Sequence, residues 1–163
     1  MVNGKVSSVV RRSTLFVRDM KKSRAFYEGA FGLTLYHAQE FDLAKVALVP
    51  IGPTQLTGGR AHFAILRGEN PLVGMIGLME MIEPRLPEPA HDVRRLGIGS
   101  VALVLSTSDA DAAAARIEPL GGRLLGPVTT ARNIGDEAGG FVPAKYFLSQ
   151  DPDGYYVEAF QQL

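Results

Sequence analysis

The chain has 163 residues, of which 46% are hydrophobic and 21% are charged, as expected for one compact domain or two small modules sharing a core. Its 17 basic residues balance its 17 acidic residues, and this zero net charge argues against nucleic acid or an anionic membrane as a partner. The lack of cysteine excludes disulfides, thiolate catalysis and cysteine-based zinc sites.

The N-terminal segment shows no targeting signal. Lys5 interrupts its apolar residues and Arg11 and Arg12 follow, so we expect no signal-peptide core there. No apolar run approaches the roughly 20 residues that a membrane span needs. These two observations predict a cytoplasmic protein.

The first half of the chain predicts a strand, a helix and several further strands. A strand over residues 12–17 leads to a helix over 19–31, with Asp19 as the N-cap and Gly32 as the residue that ends it. Short alternating or apolar runs then predict strands, which cover residues 33–39, 45–49, 61–66 and 75–82.

The second half repeats this order. A strand over 100–105 precedes a helix over 109–120, which Ser108 or Asp109 caps. The strands predicted after this helix cover residues 123–130, 145–149 and 155–160. The segment Asp151-Pro-Asp-Gly predicts a type I turn before the last strand.

The repeat predicts two modules, because one small strand-helix-strand unit cannot bury its own apolar face. The first module covers residues 8–83 and the second covers 97–163. The residues between them, 84–96, are rich in proline and charge and predict a linker.

Strand alternation predicts which side chains face a pocket between two curved sheets. If Leu15 and Val17 pack beneath the first helix, then the alternate residues of that strand point to the other side. The set predicted to line a mostly apolar pocket is Arg12, Thr14, Phe16, Leu78, Glu80, Ser100, Tyr156, Glu158 and Phe160.

Two segments carry a family resemblance. Residues 12–33, with Val-Arg-Asp, Ser-x-x-Phe-Tyr and Phe-Gly-Leu, resemble the opening of the vicinal oxygen chelate superfamily, and residues 151–158 resemble its close. This superfamily includes glyoxalase I, bleomycin-resistance proteins and extradiol dioxygenases. The resemblance implies an α+β fold in which two paired βαβββ modules form a cup-shaped, partly closed mixed sheet, and the reaction is left open because one fold serves many chemistries.

The resemblance also bears on metal binding. Metal-dependent members hold a divalent ion with four side chains, commonly His and Glu in alternation. These positions correspond to Arg12, Glu80, Ser100 and Glu158, so both carboxylates are present and both histidines are absent. Arginine has no lone pair to donate and serine is a poor neutral ligand. The resemblance therefore implies either no cofactor or a weakly bound divalent ion held by Glu80 and Glu158.

Two facing carboxylates in an apolar cup require a proton or a cation between them. We expect the Arg12 guanidinium to pair with Glu80 or Glu158, where relatives hold the metal. The alternative is that Arg12, beside Arg11, is one of two solvated charges. His62 is not at a ligand position, and it is either an additional ligand or base or a structural or surface residue.

Two functions are compatible with these residues. The first is a glyoxalase-like lyase or isomerase, less readily a dioxygenase, that acts on a small carbonyl or oxygenated metabolite. Glu80 or Glu158 would abstract a proton, and Arg12 or a weakly held ion would stabilise the enolate. True glyoxalase I activity is not expected, because Arg12 and Ser100 replace the ligand histidines.

The second function is non-catalytic binding or sequestration of an aromatic or antibiotic ligand, as in bleomycin-resistance proteins. Phe16, Tyr156 and Phe160 would stack on the ligand and Arg12 would orient an anionic group. In both cases the predicted partners are a small molecule and, by resemblance, a second copy in a homodimer. The cup forms either within one chain or between two chains.

Overall fold

The structure, a computed structural model, describes residues 8–45, 58–89, 92–135 and 140–163. The first module contains a four-stranded sheet and one long helix. Its elements are β1 (Arg12–Phe16), α1 (Met20–Phe31), β2 (Thr34–Asp42), a 3₁₀ helix (Leu43–Lys45), β3 (Arg60–Arg67) and β4 (Met75–Glu83). The strand order is β1-β4-β3-β2, with β1 parallel to β4 and the other pairs antiparallel.

The second module repeats this arrangement with one strand divided. Its elements are β5 (Ala102–Ser106), α2 (Ala110–Ile117), β6 (Arg123–Leu124), β7 (Thr129–Gly135), β8 (Phe141–Gln150) and β9 (Tyr156–Gln162). The strand order is β5-β9-β8-β6, and β7 also pairs with β8. Strand β5 runs parallel to β9, as β1 does to β4. The predicted α+β fold of two related modules is confirmed.

Local sequence signals explain where α1 begins and ends. The Asp19 side chain accepts a hydrogen bond from the backbone N–H of Lys22 at 3.1 Å, so it is the predicted N-cap. Gly32 adopts a left-handed φ of 66°, and its N–H donates to the carbonyl of Glu28. Ala30 lies one helical turn after Phe26 and Tyr27, and all three side chains are buried.

Several predicted elements differ from the structure in their bounds. Helix α2 ends at Ile117 rather than at residue 120, because Pro119 has no N–H to donate to the carbonyl of Ala115. The strand predicted over 123–130 is divided into β6 and β7, with Pro127 in the interruption. Lys45 of the predicted strand 45–49 lies in the 3₁₀ helix, and the remaining residues lie outside the described ranges.

One continuous core lies between the helices and the sheet faces that they cover, which we call the helix faces. It contains residues of both modules, including Leu15, Phe26 and Leu78 from the first and Leu103, Ile117 and Val157 from the second. Helices α1 and α2 contact each other. The rings of Phe31 and Phe147 stack with centroids 6.5 Å apart. The two modules therefore share a core through their helix faces.

The opposite side of each sheet, which we call the open face, carries no helix. On the first sheet a smaller apolar cluster lies there, formed by Ala61, Met79 and Met81 with Phe41, Leu43 and Phe63 against them. The open faces of the two sheets are thus surfaces that do not belong to the shared core. Within the described part of the chain, no helix has the length and apolar character needed to cross a membrane.

Candidate functional site

The register of the strands places most of the predicted pocket residues on the open faces. On the first sheet, Thr14 pairs with Gly77 and Phe16 with Met79. On the second sheet, Val104 pairs with Glu158 and Tyr146 with Phe160. Because directly paired residues lie on the same face of a sheet, these side chains are neighbours. The predicted positions on the open faces are Arg12, Thr14, Phe16, Tyr156, Glu158 and Phe160.

The prediction that Leu78 and Glu80 face the pocket is wrong. Leu78 pairs with Leu15 and is fully buried in the shared core beneath the helices. Since residues two apart in a strand share a face, Glu80 also lies on the helix face. The predicted alternation along β4 is correct, but the side chains predicted to face the pocket are those that face the helices. Such an exchange of faces moves every side chain of a strand to the other side of the sheet.

Glu80 is used by the fold on the helix face. Its Oε2 atom accepts the backbone N–H of Met20 at 3.2 Å and lies 3.3 Å from Nδ1 of His62. Nε2 of His62 lies 3.1 Å from Oε2 of Glu40 on the next strand. Glu40 also forms an ion pair with Arg60. This row across β2, β3 and β4 fastens the start of α1 to the sheet, and His62 has a structural role within it.

Arg12 does not form the predicted ion pair with Glu80 or Glu158 within the described part of the chain. Its Nε atom donates to Oγ1 of Thr14 at 3.1 Å, and its guanidinium carbon lies 4.9 Å from the ring centroid of Phe63. The guanidinium is therefore a cation held over an aromatic ring on the open face.

Glu158 is half-buried on the open face of the second sheet. In the ranges that the structure describes, its carboxylate has neither a hydrogen-bond partner nor an ion-pair partner. A carboxylate without a partner is free to act on a ligand or to pair with a group from outside the chain. Glu158 is thus chemically different from Glu80.

A cavity of about 370 Å³ lies where the two modules meet. Three predicted pocket residues, Phe16, Ser100 and Tyr156, line it, and so do Met81 and Tyr155. Its size is near the lower end of the range for small-molecule sites, which are usually apolar with a few polar groups. The structure brings together at this cavity the end of β1, the start of β9 and the linker after β4.

The polar side of the cavity was not predicted. Arg18 bridges two acidic residues, with Nη1 at 2.9 Å from Oδ1 of Asp153 and Nη2 at 2.6 Å from Oε2 of Glu88. These hydrogen bonds raise the pKa of Arg18 and lower the pKa of Glu88. Arg85 also lines the cavity, and among the described residues it has no ion-pair partner. For Arg85 and Glu88, the only sequence signal was charge in a linker, which usually indicates solvent exposure.

Tyr155 joins the two modules beside the cavity. Its hydroxyl accepts the backbone N–H of Phe16 at 3.1 Å and donates to the carbonyl of the same residue at 3.1 Å. Burial raises the pKa of Tyr155. The hydroxyl therefore stays protonated near neutral pH and holds the end of β1 against the start of β9.

The turn before β9 carries a buried acid. Asp151 accepts the Tyr27 hydroxyl at 2.9 Å and the backbone N–H groups of Asp153 and Tyr155. Burial raises the pKa of Asp151 to about 6 and raises the pKa of Tyr27 well above its ordinary value. The predicted turn is confirmed, since the N–H of Gly154 donates to the carbonyl of Asp151 at 3.0 Å.

Ser100 lies in a tight turn before β5. Its Oγ atom accepts the N–H of Gly97 at 3.0 Å, and its own N–H donates to the carbonyl of Gly97 at 2.9 Å. A serine in this arrangement stabilises its turn. It borders the cavity as a small polar group.

The four predicted ligand positions do not form one metal site in this chain. Arg12 and Glu158 lie on the open faces of different sheets, Glu80 lies on a helix face, and Ser100 lies in a turn. Among the described residues, no three His, Asp or Glu side chains cluster so that they could hold a metal. The donors at these positions therefore do not fit a divalent ion.

The fold and this arrangement of residues agree with comparisons to known proteins. The sequence profile described as Glyoxalase/Bleomycin resistance protein/Dioxygenase superfamily matches residues 8–159. The chain belongs to this superfamily. No match was found among curated proteins.

Solved structures share the superfamily fold with this chain. A glyoxalase family protein from Bacillus cereus is 16% identical, with a TM-score of 0.72 over 100% of this chain and 99% of the other. The antibiotic binding protein TnmS3 from Streptomyces sp. CB03234 is 20% identical, with a TM-score of 0.55 over 98% and 100%. A glyoxalase/bleomycin resistance protein from Albidiferax ferrireducens T118 is also 20% identical, with a TM-score of 0.53 over 93% and 97%. At these identities the likeness concerns the fold alone.

Proposed function

We propose that this chain is a non-catalytic protein that binds or sequesters a small aromatic molecule, as bleomycin-resistance proteins do. The proposal rests mainly on the cavity at the module junction, where Phe16, Met81 and Tyr156 provide an apolar and aromatic wall. Aromatic side chains favour flat ligands, which they contact by offset or edge-to-face stacking. The fold shared with the antibiotic binding protein TnmS3 is compatible with this function.

The position of Glu80 also favours binding over catalysis. A glyoxalase-like reaction at paired carboxylates would need Glu80 and Glu158 on the same ligand. Glu80 instead accepts the N–H of Met20 on the helix face, and Glu158 lies on the open face of the other sheet. Glu158 is therefore a free carboxylate without a paired acid, a paired base or a fitting metal site. Such a group supports contact with a ligand more readily than it supports proton transfer.

We propose further that the binding unit is a homodimer. Large apolar side chains are exposed on the open faces, including Phe16 at 39%, Val104 at 59% and Tyr146 at 36%. Contiguous exposed apolar surface often marks an interface or a ligand site. A second copy that covers these faces would bury this surface and complete the walls around a ligand.

The partnerless carboxylate of Glu158 supports a second candidate, a glyoxalase-like enzyme acting on a small carbonyl compound. Glu158 would then act as the base, and Arg12 would stabilise the enolate. The enzyme candidate requires product formation that depends on Glu158. The binding proposal requires that the ligand binds without product formation.

Calorimetric titration tests the binding proposal. We expect the uncharged aromatic probe 2-naphthamide to bind the wild-type protein, and we expect Phe16→Ala and Tyr156→Ala to bind it at least tenfold more weakly. Tyr36→Ala is the control, because Tyr36 is an exposed aromatic residue that does not line the cavity. Thermal unfolding of each variant verifies that it is folded. Absence of binding to the wild type, or equal binding by all variants, would contradict the proposal.

Product analysis separates the two candidates. Wild-type protein, Glu158→Gln and heat-denatured protein are incubated with a panel of ketoaldehydes, and products are followed by mass spectrometry. We expect the three samples to give the same product yield. Turnover by the wild type that disappears in Glu158→Gln would favour the enzyme.

A further inference from the structure

The guanidinium of Arg12 is held in one orientation on the open face. Its Nε atom donates to Oγ1 of Thr14 at 3.1 Å, and its central carbon lies over the Phe63 ring, 4.9 Å from the ring centroid. Arginine is preorganised by such contacts, because its planar group loses little further freedom when it binds a ligand. Arg12 is itself exposed, and these two contacts restrict the orientation of its guanidinium.

Gly77 leaves the space in which Arg12 lies. A Cβ atom at this position would be 2.8 Å from Oγ1 of Thr14, 2.9 Å from Cδ of Arg12 and 3.2 Å from its Nε. These separations are shorter than ordinary contacts, so any side chain at position 77 would displace Arg12 or Thr14. The glycine on β4 therefore allows the arginine of β1 to lie across the sheet.

The charge of Arg12 is unsatisfied in the part of the chain that the structure describes. Within those residues no carboxylate pairs with it, and its two terminal amino groups, Nη1 and Nη2, donate to none of them. With Nε occupied by Thr14, the free end of the group presents two parallel donors. This geometry matches the two oxygens of a carboxylate.

The neighbours of the guanidinium suit an aromatic acid better than a phosphate. Phe63 contacts the guanidinium, and Phe16 pairs with Met79 further along the same open face. The guanidinium of Arg67, on the open face of β3, is held over the Tyr36 ring with its central carbon 5.1 Å from the ring centroid. Arg12 is hydrogen-bonded to Thr14, and Phe16 follows Thr14 by two residues along β1, which separates the Cα atoms of Thr14 and Phe16 by about 7 Å. A single flat ring system with one negative charge spans that distance.

We propose that Arg12, positioned by Thr14, Phe63 and the absence of a side chain at Gly77, is an anion-binding subsite that selects planar aromatic carboxylates. The carboxylate binds Nη1 and Nη2 end-on, and the ring system extends along β1 toward Phe16 and the cavity. This inference rests on the proposed binding function and names its ligand class.

Two matched probes test it, 2-naphthoate and the uncharged 2-naphthamide, in calorimetric titrations at constant ionic strength. We expect the wild-type protein to bind 2-naphthoate at least tenfold more tightly than 2-naphthamide. In Arg12→Gln this preference should disappear through weaker binding of 2-naphthoate, with the affinity for 2-naphthamide unchanged. Arg11→Gln is the control, because Arg11 is an exposed neighbour with no contact to Thr14 or Phe63, and it should keep the preference.

Gly77→Ala provides a second variant that leaves the charge in place. Its added Cβ should displace the guanidinium and reduce the preference for 2-naphthoate at least threefold. Thermal unfolding verifies that this variant is folded. Equal affinity of the wild type for both probes, or an unchanged preference in Arg12→Gln, would overturn the anion subsite and leave the binding function in place. Failure of both probes to bind would overturn the subsite together with the proposed function.

Discussion

Glu80 and Glu158 lie in the last strand of their respective modules, each next to apolar residues, yet they face opposite sides of their sheets. Glu80 accepts the N–H of Met20 and contacts His62 on the helix face. Glu158 lies on the open face, with no partner in the described part of the chain. The comparison shows that the face of a strand, rather than the residue type or its neighbours in sequence, decides whether a carboxylate supports the fold or is available to a ligand.

The turn before β9 extends this comparison to carboxylates that have more partners. Asp153 accepts hydrogen bonds from the backbone and side chain of Arg18 and from the Ser23 hydroxyl, and its side chain is only 7% exposed. Asp151 is also buried and has three donors. Stability should therefore depend on how many donors each carboxylate holds and on how deeply it is buried.

The largest effect is expected from the titration of Asp151. Burial raises its pKa from 3.8 to about 6, so the folded state favours the protonated acid. Its contribution to stability is complete below about pH 4 and is lost as the pH rises through about 6. Relative to Asp151→Asn, which does not titrate, the wild type should lose about 3 kcal/mol of unfolding free energy between pH 3 and pH 7. Urea denaturation at several pH values measures this, and parallel profiles would contradict it.

Removal of the Asp153 carboxylate should have the next largest effect. Asp153→Ala leaves three donors of Arg18 and Ser23 without their acceptor, and we expect a loss of about 2 to 3 kcal/mol. Chemical denaturation measures the loss. Glu69→Ala is the control, since Glu69 is exposed and its carboxylate has no partner among the described residues. A loss no greater than in this control would show that Asp153 does not join the modules.

Glu80→Ala should destabilise the protein by a smaller amount. The substitution removes the acceptor for the N–H of Met20 at the start of α1 and one partner of His62, at an expected cost of about 1 to 1.5 kcal/mol. Hydrogen exchange at the first turn of α1 should become faster. If the rate of hydrogen exchange in this turn is unchanged, Glu80 does not stabilise the start of α1. The two glutamates would then not differ in their contribution to folding.

Glu158→Ala should have the smallest effect on folding. Because no donor of the described residues depends on this carboxylate, we expect the free energy of unfolding to change by less than about 0.5 kcal/mol. The measurement is made at low protein concentration, so that association with a second copy does not contribute. A loss as large as that of Glu80→Ala would show that the two glutamates are equivalent.

Much of the fold was predictable because its signals are local. Asp19 and Gly32 delimit α1 through contacts within one helical turn, and the turn at 151–154 follows from its own residues. The end of α2 also follows from a local signal, the missing N–H of Pro119, although the predicted helix extends to residue 120. The site was less predictable, because the partners of Tyr155 and Asp153 lie more than 100 residues away in the chain.

The sequence by itself determined the two repeated modules, the caps of α1, and the alternation of faces along each strand, since these depend on residues close together in the chain. Only the tertiary structure decided which of two faces each strand turns toward its helix. It placed Glu80 with Met20, and Arg12 over Phe63, and it brought Phe16 and Tyr156 to one cavity. The physical reason is that strand pairing is set by the burial of distant apolar residues such as Leu15 and Leu78, and one step of register exchanges the two faces of a strand.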